Sequence, residues 1–132
     1  MSNLNLSVMD STNTASDIGT GYDLTKAVSL KQDIFARTKI NILASMLEIQ
    51  MANISGASKI TCCLSRDSTG NKFVLTSTET TIQNGLTTTS NGSALIRLDV
   101  IIRDLMDEIL YLHVKTNAGT IDITSAGLTF RY

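Results

Sequence analysis

Apolar and polar residues alternate along much of this chain. Between Glu108 and Tyr132, Leu110, Leu112 and Val114 fall to one side, while Tyr111, His113 and Lys115 fall to the other. Ile121 and Ile123 alternate in the same way with Asp122 and Thr124. A period of two is that of a strand with one buried face. Asn117-Ala118-Gly119 supplies residues that tolerate the left-handed conformations of a hairpin loop. The segment predicts strand, turn, strand, short turn and a final strand running to Tyr132.

The same punctuation recurs upstream. Lys59 to Ser65 reads as a strand and Arg66 to Lys72 as a hairpin loop, with Gly70 and Asn71 available for positive φ. Phe73 to Ile82 is a Thr-rich strand, Asn84-Gly85 a turn signal, Ala94 to Ile102 a strand, and Arg103 to Glu108 a turn. Two segments also carry a helical period. From Thr38 to Ala52, Ile40 and Ile42 share one face and Leu47, Ile49 and Met51 another, a change of parity that a β-bulge would produce. Ile40, Leu43, Leu47 and Met51 would equally line a helix. Strand is preferred there because the flanking chain is consistently β. Residues 98–112 stay open between strand and helix, since Leu98, Ile101, Ile102, Leu105, Ile109 and Leu112 fit one helical face.

Residues 1–23 are rich in Ser, Thr, Asn and Asp, with Leu4, Leu6 and Val8 alternating against Asn5 and Ser7. They predict an extended N-terminal arm, either disordered when free or adding a strand to a neighbour's sheet, the stretch with Leu4, Leu6 and Val8 tying to it by main-chain hydrogen bonds. Residues 24–132 then form one all-β domain, an antiparallel sandwich or barrel. A length of 132 residues fits a single core.

Composition narrows the function classes. The net charge of −1 gives no basic footprint for nucleic acid. No apolar run is long enough to span a membrane, and the polar start has no signal-peptide pattern. Cys62 and Cys63 are adjacent, so in a strand they point to opposite faces and a disulfide between them would be strained. They read as reduced thiols of a protein made in a cytosol, one in the core and the other at a surface or interface. Proline is absent, which removes one guard of edge strands and is consistent with edges covered by neighbouring subunits.

Candidate chemistry is sparse. The single histidine, His113, lies mid-strand opposite the apolar face and reads as a surface or interface residue rather than a base. Two adjacent cysteines lack the spaced partners of a metal site, and Asp67, Ser68, Gly70 and Asn71 lack the closing Glu of a calcium loop. No metal or cofactor is assigned. Asp104, Asp107 and Glu108 read as a solvated turn. Without Trp, an aromatic platform for a glycan would have to use Tyr111, Phe130 or Tyr132, which read more simply as packing.

Lys59-Ile-Thr-Cys-Cys-Leu-Ser-Arg-Asp-Ser-Thr-Gly-Asn-Lys72 is a strand and loop, followed by Gly85-Leu-Thr-Thr-Thr-Ser-Asn-Gly-Ser93, the strand and turn from Leu110 to Thr120, and Gly127-Leu-Thr-Phe-Arg-Tyr132. This order, over residues 38–132, resembles small jelly-roll virion proteins of tailed bacteriophages: capsid decoration (cement) proteins and related fibre heads. The resemblance implies a jelly-roll-like sandwich and a homotrimer on the capsid surface. There it would clamp neighbouring major capsid protein subunits, with no catalytic residues. The interface residues expected are Leu4, Leu6 and Val8 of the arm, with Tyr111, His113 and Phe130. A receptor- or glycan-binding fibre module is the alternative, and a small hydrolase-like jelly roll a third.

Overall fold

The structure, a computed structural model, describes residues 3–9, 12–17, 21–29, 40–85, 90–98, 101–105 and 109–132. Among these every regular element is a strand: β1 (Asn3–Met9), β2 (Asn13–Ser16), β3 (Leu24–Ser29), β4 (Ile40–Ile42), β5 (Ala44–Ser55), β6 (Lys59–Ser65), β7 (Val74–Thr81), β8 (Gln83–Asn84), β9 (Gly92–Leu98), β10 (Ile102–Leu105), β11 (Ile109–Thr116) and β12 (Thr120–Arg131). One sheet has the order β1-β12-β5-β9-β8, with β2 also on β12; a second has the order β3-β11-β6-β7, and β4 pairs with β10 alone.

The pairings are nested. β1 pairs with β12, β3 with β11, β4 with β10, β5 with β9 and β6 with β7, all antiparallel. Each pair encloses the next, so the chain is one long antiparallel ribbon rolled until alternate rungs fall in different sheets. That connectivity defines an all-β, antiparallel jelly-roll sandwich. The inner faces of the two sheets meet in one core, where Leu47, Ile49, Ile96, Leu128 and Phe130 face Cys62, Leu64, Leu110, Leu112 and Val114.

Both segments that were open to a helical reading are strands. The parity change near Ala44 is the place where the chain leaves β4 and enters β5 of the six-stranded sheet. Ile42 and Ser45 are buried, Leu43 and Met46 are exposed, and the Leu43 N–H reaches the Arg131 carbonyl at 2.7 Å. Residues 98–112 divide into the end of β9, then β10, then the start of β11. Arg103 and Asp104, expected in a turn, lie within β10, because Ile102 pairs with Ile42 and Leu105 with Ile40. Residues 99–100 and 106–108 lie outside the described residues.

β12 also differs from the expectation of two strands and a short turn. It is one 12-residue strand whose register against β5 shifts between Ile123 and Ser125. Thr124 and Ser125 are both exposed, so the extra residue lets Ile121 and Ile123 point inward along with Ala126, Leu128 and Phe130. A bulge reconciles two out-of-phase apolar sets within one strand. The other edge of β12 carries β2 at Thr120–Ile123 and β1 at Ala126–Arg131. Residues 3–9 and 13–16, expected within an extended arm, are thus extended strands on their own chain's sheet, with Met9 and Ala15 in the core.

One glycine is fixed by contact as well as by backbone. Gly119 has φ of 62°, and a Cβ there would collide with the Ser55 carbonyl oxygen. Gly127, mid-strand in β12, has ordinary strand geometry, and a Cβ there would meet nothing within 4 Å. Gly119→Ala should therefore lose at least about 2 kcal/mol of unfolding free energy. Gly127→Ala should change it by no more than about 0.5 kcal/mol. Urea unfolding of the two variants checks the contrast.

Candidate functional site

Polar chemistry gathers on the outer face of the four-stranded sheet. The register places Thr25 beside His113, His113 beside Cys63, and Cys63 beside Ser77, so one row crosses β3, β11, β6 and β7. An outward row on a sandwich is normally wet, yet His113 is 0% exposed. Two pieces of chain cover it. Tyr22, just before β3, lays its ring 5.3 Å from the imidazole, and the loop from Arg66 to Phe73 folds over the other side. Gly70 of that loop, at φ 75°, sits so close that a Cβ would lie 3.1 Å from the His113 ring and from Tyr22.

The hydrogen bonds define the tautomer. His113 Nε2 lies 3.1 Å from the Asp67 carbonyl oxygen, which can only accept, so Nε2 carries the proton. The Ser65 hydroxyl donates to the same carbonyl at 2.6 Å and its oxygen lies 2.8 Å from Nε2. Nδ1 is therefore the acceptor, and the Thr25 hydroxyl donates to it at 2.8 Å. Both ring nitrogens are satisfied, and burial holds the imidazole pKa below its ordinary value. Ser65 and His113 are adjacent, but the serine proton is committed to a backbone carbonyl and both side chains are closed to solvent. This arrangement pins the β6–β7 loop to the sheet and does not activate a nucleophile.

The cysteines are both buried, which corrects the expectation of one at the surface. Cys62 faces the core, and Cys63 on the outer face is roofed by Tyr22. Burial raises the pKa of both thiols, and Cys63 is held back partly by its hydrogen bond to the Tyr22 hydroxyl and by nearby Lys115. The Tyr22 hydroxyl, itself raised by burial, also meets Ser77, while Lys115 Nζ sits 5.1 Å from the Tyr22 ring centre. Among the described residues, no three His, Cys, Asp or Glu side chains converge to hold a metal.

The pinned loop presents Phe73. Sequence reasoning placed this residue at the start of a strand, but β7 begins one residue later and Phe73 has φ of 52°. Its side chain is 74% exposed, and Val74 next to it is exposed as well. The loop is closed by the Arg66 N–H to the Phe73 carbonyl at 3.1 Å, and the Asp67 carboxylate accepts from the Thr69 hydroxyl and the Lys72 N–H. These bonds lower the Asp67 pKa, the Thr69 hydroxyl contributing most. Neither the left-handed backbone at Phe73 nor the covering of His113 has a local sequence signal. The string Gly70-Asn71-Lys72 before Phe73 gives only the loop.

The residues expected at an interface are scattered. Leu4, Leu6 and Val8 are half-buried against the core along β1. Tyr111 is half-buried with its ring 6.5 Å from His113, and Phe130 is fully enclosed in the core, on the inner face of the six-stranded sheet. Any contribution of His113 or Phe130 to an interface would be indirect, through the strands they support. Tyr132 is half-buried against the core.

No family model and no curated protein matches this chain. A chain in the structure of infectious bursal disease virus, Gt strain, is similar over 98% of this chain and 31% of its own length, at 12% identity and a TM-score of 0.44. The K1 cleaved adhesin domain of Lys-gingipain from Porphyromonas gingivalis W83 is similar over 97% and 98%, at 11% identity and a TM-score of 0.41. A family two carbohydrate esterase from Cellvibrio japonicus is similar over 99% and 34%, at 8% identity and a TM-score of 0.36. This chain spans about a third of the length of the viral chains it matches. Likeness at this level carries no argument about activity or partners.

Because the native imidazole binds a proton less readily than the unfolded one, its contribution to stability is full above about pH 6.5 and is lost as pH falls through the lowered native value. Unfolding free energy should thus decline between pH 7 and pH 5, and His113→Gln should flatten that slope while lowering stability throughout. Urea midpoints at the two pH values test both. Asp67 and Asp122, with lowered carboxyl pKa values, titrate below this window. A thiol reagent should leave the native protein unmodified, and Tyr22→Ala should open Cys63 to it while Cys62 stays closed, as mass spectrometry of labelled peptides would show.

Proposed function

We propose that this chain is a non-enzymatic virion structural protein, a capsid decoration protein. It assembles as a homotrimer on the capsid surface and clamps neighbouring major capsid protein subunits after synthesis in the host cytoplasm. The observation that carries this reading is the exposed apolar surface on a rigid sandwich. Phe73 and Val74 project at the loop apex, Leu95 and Met46 from the outer face of the six-stranded sheet, and Leu43, Ile101 and Ile109 elsewhere. Single exposed apolar side chains are ordinary on a monomer, so the reading rests on the neighbouring pairs, Phe73 beside Val74 and Met46 diagonal to Leu95 across β5 and β9, as contact surface for a partner. The internally satisfied His113 cluster supports the same reading, since the chain's best acid–base group is spent on holding a loop. The order of strands and loops that resembles phage virion proteins points in the same direction.

Clamping works by multivalency. Each protomer adds a modest interface, and a trimer must break several of them at once to leave. The glycan-binding alternative rests on Tyr111 and Tyr132, both half-buried, which gives it the narrower basis.

Light scattering of the purified chain should give the mass of a trimer. Mixing with capsids that lack the protein should then raise their melting temperature and carry the chain into the capsid pellet. A monomer that leaves capsids unchanged would overturn the reading.

A further inference from the structure

We infer that Phe73 of one protomer seats over Gly127 of a second copy of this chain, a head-to-tail contact that builds the assembly proposed above and rests on that reading. Two features of the fold go unused among the described residues. Phe73 is a bulky residue held at positive φ with its ring in solvent, and its loop is tied down on both sides by Asp67, Arg66 and His113. A left-handed backbone at such a residue is costly and persists where the surroundings enforce it. The backbone that carries the ring is therefore preorganised for a contact, which lowers the loop-ordering entropy of binding.

Gly127 is the complementary feature. A glycine inside a strand weakens it and marks a site of close approach. Gly21, Gly56, Gly70 and Gly119 take positive φ, and Gly92 is crowded by the Gln83 carbonyl, but Gly127 has neither reason to be glycine. Its outward neighbours in register are Ser7 on β1 and Glu48 on β5. The result is a shallow hollow of about 440 Å³ on the outer face of the six-stranded sheet, lined by Asn5, Ser7, Glu48, Gln50, Ser125 and Gly127. Among the described residues nothing covers that bare backbone, and an aromatic ring laid over a strand glycine shields it from water.

Charge agrees with shape. Lys72 precedes Phe73 at the exposed apex, and Glu48 borders the hollow. The two patches lie on different sheets, so the contact is heterologous; repeated, it generates a ring or a filament, and a trimer is the ring. A two-fold dimer would instead require one self-complementary patch.

The test is light scattering of the full chain across concentration, beside Phe73→Ser, Gly127→Leu, Lys72→Glu, Glu48→Lys and the Lys72→Glu/Glu48→Lys double variant, with circular dichroism as a check of folding. The expected result is a trimer whose dissociation constant rises at least tenfold in Phe73→Ser and in Gly127→Leu. Each charge reversal should weaken it and the double reversal restore it. A trimer untouched by Phe73→Ser and Gly127→Leu would overturn this contact while leaving self-assembly intact. A wild type that is monomeric at every concentration would overturn both, as would a monomer that binds phosphatidylserine vesicles through Phe73.

Discussion

The pairing of the chain's first strand with its last is the constraint on which the rest of the structure depends. β12 lies between β5 and the β1–β2 edge, so it needs partners from both the start and the middle of the sequence. Inside that outer rung the remaining pairs nest one within another, all antiparallel. The bulge at Thr124–Ser125 is what makes β12 serve both roles, since without it one of its two apolar sets would face water. Most contacts in such a fold join residues far apart in sequence, so loop-closure entropy must be met before burial repays it.

The outer face of the four-stranded sheet shows how a buried polar group is accommodated. His113 lies on the side of β11 that the alternation assigns to solvent, and a roof of Tyr22 and the β6–β7 loop encloses it. Enclosure is tolerable because each ring nitrogen has a partner: Thr25 on one side, Ser65 and the Asp67 carbonyl on the other. An unmet nitrogen there would cost the desolvation of a buried polar group, about 1–3 kcal/mol. The same bonds fix the loop apex, so the interior chemistry of one face determines how an aromatic side chain is displayed at its end. The chain therefore spends its sole histidine on shape.

Much of the fold was legible in the sequence, because a period of two records which face is buried. The alternation of Leu110, Leu112 and Val114, and the turn at Asn117–Gly119, appear in the structure as read. The places that misled are those where the period breaks. Ile42 to Ser45 looked like a bulge or a helix because the chain changes sheets there, and Thr124–Ser125 looked like a turn because a bulge and a turn leave the same trace in a short window. The candidate site was less legible. Alternation placed His113 outward, which is correct for the strand, but covering by Tyr22 and Gly70 is set by residues far away in sequence. The left-handed backbone of Phe73 is imposed by the loop's hydrogen bonds and leaves no mark in its residue type.

The central position of β12 also bears on how the protein is made. A ribosome delivers residues 120–131 after every other strand described, yet these residues form the middle of the six-stranded sheet. Until they clear the exit tunnel, β5 and the β1–β2 segment have no ladder between them, and their apolar sides have no common lid. Synthesis at about 5–20 residues per second therefore leaves β5 without its β12 ladder for seconds. Arrival of β12 as the event that closes the six-stranded sheet follows from topology alone.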